Sequence, residues 1–120
     1  MLNVLTLAGN IGSDIENFFT PDGGTHIASF SLAFASGFKD GQEQTGWIKV
    51  KCFSKLADTT ENYLHKGARI AVSGYLQQQR WETENNEKRS SYQLNANSIE
   101  FIRINDKGEE PAAGTDQPPF

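Results

Sequence analysis

The seven residues Trp47-Ile48-Lys49-Val50-Lys51-Cys52-Phe53 constrain this chain more than any other stretch. Drawn as a β-strand, they send side chains alternately to two faces. One face carries Ile48, Val50 and Cys52, an ordinary small core stripe. The other carries Trp47, Lys49, Lys51 and Phe53, two cations between two large aromatics on a surface that must face outward. Aromatic rings stack on bases of any sequence, and ammonium groups at strand spacing follow a phosphate backbone. A half-buried strand, with its rings packed under a loop and its lysines merely solvated, fits this stretch equally well.

At 120 residues the chain is one domain with a single modest core. No apolar run approaches the roughly 20 residues a membrane helix needs. Met1-Leu2-Asn3-Val4 lacks the basic region and apolar core of an export signal, so a cytoplasmic location is expected. Cys52 is the only cysteine, which excludes an intrachain disulfide and suits a reducing compartment. With His26 and His65 the only histidines, no zinc site is expected, nor any cofactor. The net charge is −4, and it is unevenly spread. Residues 1–104 hold ten Lys/Arg against eleven Asp/Glu, a balance of −1, and residues 105–120 hold one against four, a balance of −3. A near-neutral body leaves room for a local basic stripe.

In chain order, Leu2 to Ala8 reads as a strand, broken by Gly9-Asn10-Ile11-Gly12-Ser13-Asp14. Ile15 to Phe19 is a short apolar stretch closed by the turn signal Pro21-Asp22-Gly23-Gly24. Thr25 to Phe34 alternates as a strand, and a polar, glycine-containing loop is expected from Ala35 to Gly46. The spacing predicts a helix over Ser54 to Lys66. Ser54 would cap it, Leu56, Ala57, Thr60, Tyr63 and Leu64 would form its buried face, and Gly67 would stop it. Ile70 to Trp81 and Ser90 to Arg103 read as strands around a polar tip, Glu82 to Lys88. In the last strand the apolar phase slips between Ala96 and Ile99, which predicts a bulge near Asn97-Ser98. Five strands with a helix between the third and fourth predict an all-β fold, a small Greek-key OB barrel over residues 1–104. Residues 105–120 lack apolar periodicity and are expected to be a disordered acidic tail.

On these residues the chain resembles the bacterial single-stranded DNA-binding protein family. The resemblance rests on Leu7-Ala8-Gly9-Asn10-Ile11-Gly12-Ser13-Asp14, Pro21-Asp22-Gly23-Gly24, Gln44-Thr45-Gly46-Trp47 and Phe53-Ser54-Lys55-Leu56-Ala57. Tyr63-Leu64-His65-Lys66-Gly67 and the Gly74 to Trp81 strand complete it, in family order over nearly all of residues 1–103. It implies base stacking on Phe38, Trp47, Phe53 and Trp81, with Phe38 standing where the family often has Trp. Lys49, Lys55 and Lys66 fall at positions usually basic in the family, and Lys51 and Tyr75 join the expected DNA-binding set. It further implies a homotetramer, a nucleoid-associated role in replication, recombination and repair, and partner recruitment through the Pro119-Phe120 end. Asp116, Pro118, Pro119 and Phe120 are the expected partner-binding residues. The chain departs from the pattern at Gln77 and Gln79, where arginines are common, at Met1 to Asn3, which lacks basic residues, and at Thr115-Asp116-Gln117-Pro118, which replaces an acidic cluster.

Three other readings compete. Glu82, Glu84 and Glu87 beside Arg80, Lys88 and Arg89 could serve a metal-dependent nuclease, but no second ligand set accompanies them and a solvated hairpin tip accounts for them. No Ser/His/Asp or Cys/His arrangement stands out, so the chain is not expected to be an enzyme. A pure protein-interaction barrel would have no need to expose all four aromatics. An RNA-binding barrel stays open, because stacking and phosphate contacts hardly distinguish the sugars.

Overall fold

The strand alternation of Trp47 to Phe53 reaches back to Gln42 and ends at Phe53. The computed structural model describes residues 2–103. In chain order its elements are β1 (Leu5–Ile11), β2 (Glu16–Phe19), β3 (His26–Lys39), β4 (Gln42–Phe53), α1 (Lys55–Tyr63), β5 (Arg69–Glu82) and β6 (Lys88–Arg103). Along the sheet the strands run β1-β5-β6-β4-β3, and β1 returns to β3 through Asn10–Ala33 and Ile11–Leu32. The sheet thus closes on itself, and β2 adds to the outer edge of β3. All neighbours are antiparallel except β4 and β6, which run parallel over Lys49–Lys51 and Gln93–Asn95. This is the OB barrel expected from the order of elements, with the helix between the third and fourth barrel strands.

The interior is filled by the inward residues of every wall. Ile11, Ala28, Phe30, Leu32, Val50, Cys52, Ile70, Val72 and Leu94 are buried together, and α1 closes the open end with Ala57, followed by Leu64 and Ala68. Each large side chain so buried contributes roughly 1.5–3 kcal/mol relative to exposure. Burial also governs the thiol: it pushes Cys52 up to about 11, with the Thr60 hydroxyl pulling slightly the other way. Cys52 is therefore a small apolar filler and not a nucleophile.

Several expectations are corrected. The segment 35–46 is not a loop: β3 runs to Lys39, β4 starts at Gln42, and only Asp40 and Gly41 turn between them. Both have positive φ, 54° and 77°, as a two-residue type I′ hairpin turn requires. β1 passes through Gly9 and Asn10 to Ile11, and the stretch after it forms a sixth strand, β2, paired to β3. The helix is shorter than expected. Ser54 makes no side-chain cap; its N–H donates to the His26 carbonyl at 2.9 Å, prolonging the β3–β4 ladder, so the chain must turn in that single residue at φ 56°. The helix ends at Tyr63 because Leu64 is extended and plugs the core, so Gly67, at φ +98°, shapes the following turn instead. Tyr63 is exposed and does not join the buried face. The bulge falls where the slipping phase placed it. Ser73 stands opposite Ser98 but Gly74 opposite Ala96, leaving Asn97 as the extra residue. Asp116, Pro118, Pro119 and Phe120, with the domain boundary at 104, lie outside the described residues.

Candidate nucleic-acid interface

The outward face of β4 is best built row by row, since residues directly opposite in a sheet share a face. Lys49 stands between Ser31 of β3 and Gln93 of β6, and Gln93 is opposite Gln77 of β5. Lys51 stands between Ser29 and Asn95, and Asn95 is opposite Tyr75. Two adjacent rows therefore cross four strands, a width of roughly 14 Å at the usual strand spacing. Along β4 the face continues to Trp47 on one side of the lysines and to Phe53 on the other. Along β5, Gln79 and Trp81 continue the phase of Tyr75 and Gln77.

The floor of this face is polar and tied together. The Gln93 amide donates to Asn95 Oδ1 at 2.7 Å and to Gln77 Oε1 at 3.3 Å, and Asn95 Nδ2 donates to Gln77 Oε1 at 2.8 Å. Gln93 and Asn95 are buried although they lie outside the barrel. The sequence reading missed both. Their signal was the phase of Leu94: with it in the core, its two neighbours must point outward.

The aromatics stand out of this floor. Trp47 is 61% exposed, Phe38 75% and Trp81 50%. Trp47 is held by a close approach: a Cβ built on Gly12 would lie 2.3 Å from indole Cζ3, so only glycine leaves room for the ring against the β1–β2 loop. Phe38 reaches the face through a bulge. Ala35 opposes Thr45 but Gly37 opposes Gln44, which leaves Ser36 unpaired. Without that extra residue Phe38 would share the inward phase of Phe34; with it, Phe38 sits opposite Glu43 on the face of Thr45 and Trp47. Trp81 is opposite Arg89, and a cleft of about 430 Å³ beside it is lined by Arg80, Lys88 and Arg89 among others. The sequence reading left those three cations in a solvated tip. Arg89 is also paired with Glu87 at 3.0 Å.

The two remaining lysines are not on the sheet. Lys55 opens α1, two residues beyond Phe53 and at the positive end of the helix, where a cation is unfavourable for the helix itself. Lys66 lies in the turn between α1 and β5, which is docked on the end of β1 by the Gly67 N–H to the Ile11 carbonyl, 2.8 Å. Among the described residues no group of three or more His, Cys, Asp and Glu converges as a metal-ligand set.

A closed five-stranded OB barrel with exposed rings and cations on one wall is the architecture of a nucleic-acid-binding module. The comparisons narrow it. The single-strand binding protein family model matches residues 2–102, and the chain belongs to that family. It is 33% identical over 102 residues to single-stranded DNA-binding protein 3 of Clostridium acetobutylicum, covering 84% of this chain and 71% of that protein. With the single-stranded DNA-binding protein of Clostridium tetani it shares 32% over 114 residues, 94% of this chain and 79% of that one. The solved Plasmodium falciparum SSB in complex with ssDNA superposes with a TM-score of 0.75 at 27% identity, covering 84% of this chain and 95% of that one.

Proposed function

We propose that this chain binds single-stranded DNA without sequence preference, stacking bases on Phe38, Trp47, Phe53 and Trp81 and holding phosphates with Lys49, Lys51 and Lys55. The observation that carries this reading is the pair of rows through Lys49 and Lys51, flanked by Trp47 and Phe53 and joined across β6 to Tyr75. Every base has a π-face, so a row of rings with no base-edge code is sequence-tolerant. Lys55 holds the strand where it passes Phe53, and Lys66 enters where it follows the helix to its far end. Such binding keeps single strands covered during replication, recombination and repair, with partners recruited through Asp116 and Pro118 to Phe120. The protein acts as a binder and not as an enzyme.

Assembly into a homotetramer belongs to the same reading. β1 pairs with β5 over Leu5 to Asn10 and meets β3 only at Asn10 and Ile11, so the opposite edge of its first half has no strand beside it among the described residues. Leu2 and Val4 next to it are exposed. An open edge with apolar neighbours favours pairing with a second copy.

Tryptophan fluorescence titrated with single strands tests the reading. Both indoles should be quenched, and the double substitution Trp47→Ala, Trp81→Ala should abolish tight binding. Unchanged affinity in that variant would overturn it. Analytical ultracentrifugation at micromolar concentration tests the assembly, which a monomer would refute.

A further inference from the structure

One exposed ring on the same face is absorbed by none of this. Phe18 of β2 is opposite Ile27 of β3, and Ile27 is opposite Phe53 of β4. The three form a single row on the outward face, in which Phe18 is 42% exposed, Ile27 9% and Phe53 39%. Two open rings thus flank a nearly covered aliphatic side chain, roughly 10 Å apart at the usual strand spacing. The next row, Glu16–Ser29–Lys51, runs on to Asn95 and Tyr75, so the β2 end of the face is continuous with the lysine rows.

The other face of β2 explains why Phe18 stays outward. Phe19 stacks on His26 with ring centroids 4.8 Å apart and planes 18° from parallel. The two His26 ring nitrogens meet Asn17 Oδ1 at 2.8 Å and Asp58 Oδ1 of α1 at 2.6 Å. His26 is buried and holds Asn17 and Phe19 on its own face of β2, although both remain exposed to solvent. With those two side chains tied to the His26 face, strand alternation puts Phe18 and Glu16 on the opposite one, that of Ile27 and Ser29.

We infer that Phe18 is a fifth stacking platform, and that a single strand leaving Phe53 crosses β3 onto β2 and is not confined to β4, β5 and β6. The inference rests on the proposed binding mode. The chemistry of this lane differs from that of the lysine rows. Glu16 is the charged residue of β2 on this face and cannot hold a phosphate, so attachment here comes from the base and the ring alone. Loss of Phe18 therefore weakens binding without changing its salt dependence, whereas loss of a phosphate-holding lysine lowers the log–log slope by about 0.7 for single strands.

The test is a fluorescence titration with oligonucleotides of increasing length, at several salt concentrations, on wild type, Phe18→Ala, Phe18→Tyr, Lys49→Ala and Trp47→Ala. Phe18→Ala should weaken binding of the longer strands about five- to a hundred-fold with an unchanged salt slope. It should leave the shortest strands bound as in wild type, and Phe18→Tyr should restore affinity. Phe18→Trp should add a quenched indole. If Phe18→Ala binds every length as wild type does while Trp47→Ala is weakened, the β2 lane is wrong and the general reading survives. If Trp47→Ala is also unaffected, the general reading fails first. A Phe18→Ala protein with altered sedimentation mass but unaltered DNA affinity would make this row a contact between copies and would overturn the inference.

Discussion

The barrel wall and the two hairpin arms that grow from it are made of the same strands but held by different forces. In the wall, Phe30, Val50, Val72 and Leu94 are buried against one another. In the β3–β4 arm, residues 35–45 are exposed on both faces, yet the ladder runs without a gap to Lys39 and Gln42 apart from the bulge at Ser36. The β5–β6 arm is similar, paired out to Glu82 and Lys88. Burial holds the wall, while register and turn chemistry hold the arms, each backbone hydrogen bond contributing a net of only about 1 kcal/mol. The rings proposed to stack on bases sit on the arms and on the outer side of the wall, where their loss leaves no cavity. Stability and binding should therefore separate under mutation.

The largest effect expected is on the wall. Phe30→Ala should cost about 3–5 kcal/mol in urea unfolding, with the remaining folded protein binding single strands as before. An affinity loss with stability intact would break the comparison. Next, Trp47→Ala or Trp81→Ala should each cost about 1–3 kcal/mol of binding, while the unfolding free energy moves by no more than about 0.5 kcal/mol. Gly12→Ala sharpens the same point without touching a ring: its new Cβ must displace the Trp47 indole. Weaker binding and a shifted Trp emission are expected, smaller in effect than loss of the ring.

A finer separation concerns the two glutamines on β5. Gln79→Arg should steepen the salt dependence by up to about 0.7 in log–log slope. Gln77→Arg should not behave the same way, because Gln77 Oε1 accepts from both Gln93 and Asn95 and arginine has no acceptor to offer. That variant should lose stability, read in the same urea series. Equal stability in the two variants would show that the amide floor is not tied together.

The smallest effect is at the thiol. Folding raises Cys52 from its ordinary 9.0 to about 11 through burial. A pKa raised in the folded state means the contribution is fully present below pH 9 and is lost as pH climbs toward 11. The fall in unfolding midpoint across that window should be steeper in wild type than in Cys52→Ala.

The wall was legible in the sequence because burial writes a period into it. Ile48, Val50 and Cys52 alternate with outward residues, and the slip from Ala96 to Ile99 marked the Asn97 bulge. The β3–β4 arm left no such trace: exposed on both faces, Ala35 to Gly46 shows no apolar alternation, and a ladder of backbone groups is silent in side chains. Asp40-Gly41 was nonetheless a readable hairpin signal. Ser54 misled for another reason. A capping hydroxyl was available, but the residue's backbone was already claimed by His26. Of the candidate site, the strand phases of Trp47 to Phe53 and Tyr75 to Trp81 were legible. The orientation of Phe38 and the floor of Gln93 and Asn95 were not, since they depend on a bulge and on a partner strand far along the chain.

The short parallel pairing of β4 with β6 has a consequence for how the molecule assembles in time. Each of the two long hairpins closes on nearby residues, and hairpins form within about 1–10 μs. The seam between them joins Lys49 to Gln93 and Lys51 to Asn95, partners 44 positions apart, through three residues on each strand. Its loop, like that of the β1–β5 pairing from Leu5–Gly74 to Asn10–Arg69, must be closed before many contacts repay the lost chain entropy. Closing the barrel is therefore expected to be slower than forming either hairpin. Both arms are then free to form early, before the two halves join along Lys49 to Lys51.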